Sequence, residues 1–137
     1  MGKNYRVWQP SNIYPTAEIG DNTNIGAFVE IGANVKVGKH CKIGSGAFIP
    51  EGVTIEDECF IGPRVCFSND KHPKATGPWA LTPTLIKKGA SIGANSSIIC
   101  GVVIGENARV GMGSVVTKNV PDGETWVGNP AKRINKI

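Results

Sequence analysis

From Ile13 to Phe67 the chain reads IYPTAEIGDNTNIGAFVEIGANVKVGKHCKIGSGAFIPEGVTIEDECFIGPRVCF, and every sixth residue in it is apolar: Ile13, Ile19, Ile25, Ile31, Val37, Ile43, Ile49, Ile55, Ile61 and Phe67. After a gap the same beat returns as Ile86, Ile92, Ile98, Ile104, Val110 and Val116. Two places before each beat stands a small or β-branched residue, from Ala17, Thr23 and Val29 through Cys41 and Cys59 to Ala108 and Ser114. Glycine often follows the beat, as at Gly20, Gly26, Gly32, Gly38, Gly44 and Gly62. Repetition at a fixed short period is the mark of a solenoid, in which each repeat buries its apolar face only against its neighbours.

A period of six suits neither an amphipathic helix nor a long flat strand. It suits a two-residue strand and a tight turn, with the beat residue and its partner two places earlier on one strand face. Three hexads close a triangular coil of eighteen residues, and coils stack as parallel strands about 4.8 Å apart. Residues eighteen apart then form columns, such as Ile13, Ile31, Ile49 and Phe67. The fold expected is all-β: a left-handed parallel β-helix, an exception to the right-handed crossover rule. Sixteen beats give about five coils.

Outward from the repeat, the chain divides into an N-terminal cap (1–12), coils (13–67), an extruded loop (68–85), further coils (86–117) and a C-terminal tail (118–137), all within one domain of 137 residues. The loop is placed by arithmetic. Phe67 and Ile86 are nineteen apart where six is expected, so thirteen residues leave the prism at one corner. Loops of that length in compact folds are generally functional or disordered, and this one favours function because it holds Asn69, Asp70, Lys71, His72, Lys74 and Trp79. Polar corner residues such as Asn22, Asn34 and Lys39 read as solvated, as does Lys136.

Composition narrows the partners. Fifteen Lys and Arg against eleven Asp and Glu leave a net charge of +4. The basic residues are not interleaved with aromatics as a single-strand binder requires, so no nucleic acid partner is expected. No apolar run approaches the length of a membrane span, and no membrane association is expected. The four cysteines lack metal spacing; Cys41 and Cys59 fall in one inward column as buried thiols. A cytoplasmic protein fits best. His40 and His72 are too few and badly spaced for a three-histidine zinc site, so no metal is expected.

Several segments carry a resemblance. The run Ile92–Gly105, the segment Gly113-Ser114-Val115-Val116-Thr117-Lys118 and the Val127-Gly128-Asn129-Pro130-Ala131 signature, together with the repeats and the loop, resemble the hexapeptide-repeat acyltransferases. Glu51-Gly52-Val53, Phe67-Ser68-Asn69 and Pro83-Thr84-Leu85-Ile86-Lys87 are similar to the nucleotide-sugar N-acetyltransferases within that family. The resemblance implies a homotrimer that transfers an acetyl group from acetyl-CoA to an amino sugar, nucleotide-linked. His72-Pro73 departs from that pattern and matches the galactoside and maltose O-acetyltransferases, where this histidine is the base. An O-acetyltransferase is therefore the alternative enzyme, and a non-catalytic β-helix binding module the alternative from another class.

Acetyl transfer needs an acceptor held against the thioester carbonyl, an outlet for its proton and donors for the oxyanion. His72, Asn69 and Glu51 are the catalytic candidates, a sugar hydroxyl needing a base more than an amine does. Asp70 and Trp79 are candidates for holding the acceptor, Trp79 by stacking. For acetyl-CoA, Gly101, Gly111 and Gly113 are expected to admit the pantetheine arm, and Lys118, Lys132 and Arg133 to meet its phosphates.

Overall fold

The structure is a computed structural model of the chain, described over residues 1–135; Lys136 lies outside the described residues. The six-residue beat becomes three flat parallel sheets wound as a left-handed β-helix. The first face stacks Arg6–Val7, Asn24–Ile25, Lys42–Ile43, Phe60–Ile61, Ser91–Ile92, Arg109–Val110 and Thr125–Gly128. The second stacks Asn12–Ile13, Glu30–Ile31, Phe48–Ile49, Cys66–Phe67, Ser97–Ile98 and Val115–Val116. The third stacks Glu18–Ile19, Lys36–Val37, Val53–Ile55, Thr84–Ile86 and Val103–Ile104. The register is the expected one: Ile25, Ile43 and Ile61 lie in one column, as do Ile13, Ile31 and Ile49. Successive coils are joined by backbone bonds such as Gly20 N–H to Val37 O at 2.8 Å and Gly32 N–H to Ile49 O at 2.8 Å.

The stack is taller than the expected five coils, reaching seven parallel strands on the first face. Two departures from the strict beat account for the difference. Val7 lies one period before Ile13 and pairs beside Ile25, so the stack begins within the first residues. Past Val116 the beat resumes two residues early: Val120 bridges to Ile104, and Trp126 pairs beside Val110. The tail then turns back, Ala131–Ile134 running antiparallel to Thr125–Gly128 and closing that end.

Every beat from Ile19 to Val116 is buried, and so are all the small positions two places before them. Ile13 is only half-buried, because no strand stacks below it on the second face. Full burial of one such Ile or Phe contributes about 1.5–3 kcal/mol, which makes the interior column the main source of stability. Its polar members are satisfied. Thr23 Oγ1 donates to Gly38 O at 2.7 Å, Ser96 Oγ to Gly111 O at 3.1 Å and Ser114 Oγ to Gly111 O at 2.6 Å. The stacked thiols follow the same rule, Cys41 Sγ donating to Glu56 O at 3.2 Å and Cys59 Sγ to Lys87 O at 3.1 Å. The Cys59 thiol is pushed up from its ordinary range by its hydrogen bond with Cys41 and by burial.

Three residues after the beat the backbone turns through positive φ, at Asn22, Phe28, Asn34, His40, Glu58, Arg64, Asn95 and Asn107. This conformation is easy for Gly and tolerable for Asn, and strained for Phe, Glu or Arg. It also explains His40, whose φ of 57° makes it a corner residue.

Candidate functional site

The loop leaves the corner between the second and third faces after Phe67 and rejoins the wall at Thr84. Its neck is narrow. Thr82 N–H donates to Asn69 O at 2.9 Å, and Thr84 N–H donates to Gly52 O at 3.0 Å. Ser68 Oγ accepts from Cys100 N–H at 2.9 Å, tying the exit to the coil above. Two corner glycines receive the returning strand. A methyl on Gly52 would lie 2.9 Å from Leu81 Cδ2, and one on Gly101 would lie 3.2 Å from Thr82 Cγ2. Both glycines also sit at positive φ, 106° and 89°. The required residue type thus serves the corner and the loop together.

Beyond the neck, residues 71–81 are exposed. Asp70 Oδ1 accepts from His72 N–H at 3.1 Å, an Asx turn that sets where His72 starts. The loop then folds on itself around a cleft of about 350 Å³ lined by Asp70, Lys71, His72, Lys74, Pro78, Trp79, Ala80 and Thr82. Three of the residues chosen from the sequence, Asp70, His72 and Trp79, therefore share one cavity. Asn69 and Glu51 form a second group at the root, where Asn69 Nδ2 donates to Glu51 O at 3.1 Å.

The residues expected to meet acetyl-CoA fall at two separate edges. Gly101 and Lys118 lie on the loop's own corner, in a cleft of about 290 Å³ that Lys71 also lines. Gly111 and Gly113 lie on the other edge of the second face, the corner between its first and second faces. The space over Gly111 is taken by the tail, since a methyl there would lie 2.5 Å from Val127 Cγ1; Gly113 has nothing within 4 Å of that position. Lys132 and Arg133 are exposed on the returning tail strand, and Arg133 Nε lies 3.8 Å from Glu124 Oε1. That carboxylate also accepts from Trp126 Nε1 at 3.0 Å.

Two contacts have no counterpart in the sequence reading: Lys71 lines the cleft of Gly101 and Lys118, and Asn34, expected as a solvated corner, donates its Nδ2 amide to Glu51 Oε2 at 3.0 Å. Stacking arithmetic could have flagged Asn34, which sits close to one coil of eighteen before Glu51. Two larger grooves, about 610 and 640 Å³, lie toward the N-terminal end and hold none of the candidate residues. The first mixes Glu18, Lys36, Glu56, Asp57 and Lys88 and holds no histidine and no aromatic side chain. The loop clefts are smaller but bring together a histidine, an aspartate, lysines and a tryptophan.

The family model for bacterial transferase hexapeptide (six repeats) matches residues 16–51, 34–69 and 83–118. The chain belongs to that family. The family match skips the loop, which is the part that varies in a repeat protein. Among curated relatives, dTDP-3-amino-3,6-dideoxy-alpha-D-galactopyranose 3-N-acetyltransferase of Aneurinibacillus thermoaerophilus is 56% identical over 55 residues, 40% of this chain and 29% of that protein. Galactoside O-acetyltransferase of Escherichia coli K12 is 36% identical over 90 residues, 62% of this chain and 44% of that protein. The chain spans less than half the length of these curated relatives. Among solved structures, AntD, an N-acyltransferase from Bacillus cereus in complex with dTDP and 3-hydroxybutyryl-CoA, superposes with a TM-score of 0.88 at 26% identity, covering 98% of this chain and 80% of that one. A variant of AntD was solved with dTDP-4-amino-4,6-dideoxyglucose and Coenzyme A; it superposes with a TM-score of 0.87 at 27% identity, covering 97% of this chain and 80% of that one.

Proposed function

We propose that the chain is an acetyl-CoA-dependent N-acetyltransferase acting on a nucleotide-linked amino sugar. The observation that carries the reading is the loop cleft, which puts the aromatic wall of Trp79 and the imidazole of His72 around one cavity beside the Asp70 carboxylate. Trp79 supplies a flat apolar surface for a sugar or base, and Asp70 a hydrogen-bond acceptor for its polar edge. The amine nitrogen attacks the thioester carbonyl, a C–N bond forms as the C–S bond breaks, and CoA leaves as the thiol. The amine's surplus proton passes by way of His72 or water to the departing sulfur. The similarity to AntD and to the amino-sugar acetyltransferase supports this choice of acceptor and donor.

The two-edge arrangement of the acetyl-CoA candidates supports a homotrimer. Gly101 and Lys118 lie on one edge of the second face and Gly113 on the other. Side-by-side prisms bring unlike edges of neighbouring chains together, so each donor site would draw on two subunits. Four free cysteines and an intracellular thioester donor support a cytoplasmic location. Light scattering should give three times the chain mass.

His72 favours a second reading. Histidine in the cleft, followed by Pro73, is what an O-acetyltransferase needs, and the galactoside enzyme is among the relatives. A thiol-release assay against nucleotide-linked amino sugars, free amino sugars and sugars without an amine separates the two. For the proposed amine acceptor, His72→Ala should lower kcat by less than about tenfold, since the unprotonated amine is already a good nucleophile; loss of about a hundredfold or more, with turnover on amine-free sugars, would establish the hydroxyl acceptor.

A further inference from the structure

Asn34 lies one coil below the root of the loop, in a corner whose backbone is already held: its φ is 61°, and its N–H donates to Thr16 Oγ1 at 3.1 Å. Its side chain is therefore free for another task, and it spends its amide on Glu51 Oε2 at 3.0 Å. The neighbouring backbone is fixed as well. Glu51 O accepts from Asn69 Nδ2 at 3.1 Å, and Gly52 O accepts from Thr84 N–H at 3.0 Å. Glu51 is consequently held from the coil below and from the start of the loop, and its neighbour Gly52 from the strand to which the loop returns. Its other oxygen, Oε1, takes no hydrogen bond among the described residues. An exposed glutamate on its own samples many rotamers, and ordering it on each binding event costs affinity.

We infer that Asn34 is a positioning residue of the acceptor site: it holds the Glu51 carboxylate by one oxygen and leaves the other to accept a hydrogen from the sugar's amino or hydroxyl group. The inference rests on the acyl-transfer reading and adds to it a residue outside the loop. It assigns Glu51 to acceptor binding, with Asn34 acting only through Glu51.

The test uses two Asn34 variants that leave the corner unstrained, because Gly and Asp both tolerate positive φ. Asn34→Gly deletes the donor. Asn34→Asp keeps the size and sets a second carboxylate against the first. With the whole chain and the best substrate of the panel, Asn34→Gly should raise KM for the acceptor about fivefold, and Asn34→Asp by more, with KM for acetyl-CoA unchanged and kcat within about twofold. Glu51→Ala should raise the acceptor KM at least as far, and Asn34→Gly added to Glu51→Ala should raise it no further, the mark of two residues acting as one unit. A wild-type KM in Asn34→Gly, an unchanged acceptor KM in Glu51→Ala, or an equal further rise in the double variant would each overturn the inference while leaving acyl transfer intact. Absence of turnover by the unaltered chain on every sugar in the panel would overturn acyl transfer itself, and this assignment with it.

Discussion

The wall of the prism and the loop at its corner are built on opposite principles. In the wall a residue's neighbours are its own sequence eighteen places on, so Ile25 meets Ile43 and Ile43 meets Ile61. Nearly every contact there is a copy of another. In the loop nothing repeats, residues 71–81 are exposed, and the shape depends on a few bonds at the neck. The wall spends its residues on stability and the loop on the candidate chemistry, and the two are joined at the neck through Glu51, Gly52, Ser68, Asn69, Thr82, Pro83, Thr84, Cys100 and Gly101. Changes placed on either side of that junction should therefore have separable effects.

The harshest change is a charge in the column. Ile61 is fully buried, and Ile61→Asp would put a carboxylate among Ile and Val with no partner, at a cost of several kcal/mol. Far-UV circular dichroism of the variant should show no folded protein. The opposite change is to excise residues 70–81 and join Asn69 to Thr82 through two glycines. Those ends already share a hydrogen bond at 2.9 Å, so the unfolding midpoint should hold within a few degrees while turnover falls below detection. If the excised protein fails to fold, the loop contributes to the core and the division between the two regions is wrong.

The junction itself should answer in both measurements. Gly52→Ala meets Leu81 at 2.9 Å and holds φ at 106°, so it should lower stability by about 1–2 kcal/mol in a denaturant titration and also reduce turnover by displacing the loop. The smallest effect is expected far from the site. Phe28 sits at φ 60° and is 69% exposed, so Phe28→Asn relieves backbone strain and should raise stability by about 0.5 kcal/mol, seen as a small rise in Tm.

The same contrast decides what could be read in advance. The wall was legible because a fixed coil length turns sequence spacing directly into contact. It failed only where spacing changed, at the shortened interval between Val116 and Val120, and at Val7, a single beat too isolated to count. The corner conformation went unread: it falls on the Asn and Gly three places after the beat rather than on the glycine directly after it, and Phe28, Glu58 and Arg64 hide that signal. For the site, composition and an interrupted rhythm singled out Asp70, His72 and Trp79, which share a cleft. What spacing could not supply was the loop's own path, by which Lys71 turns back toward Gly101 and Lys118. That path is aperiodic and no period encodes it, whereas the Asn34–Glu51 pair and the two edges of the acetyl-CoA candidates lie on the periodic wall, within reach of the same stacking arithmetic.

The neck closed by Asn69 and Thr82 has an implication for how such proteins diversify. An insert whose two ends emerge side by side, seated on glycines that the corner needs anyway, behaves as a cassette. It can be lengthened, shortened or exchanged for another without disturbing a single rung of the ladder beneath, so acceptor preference can change in one step while the scaffold stays the same.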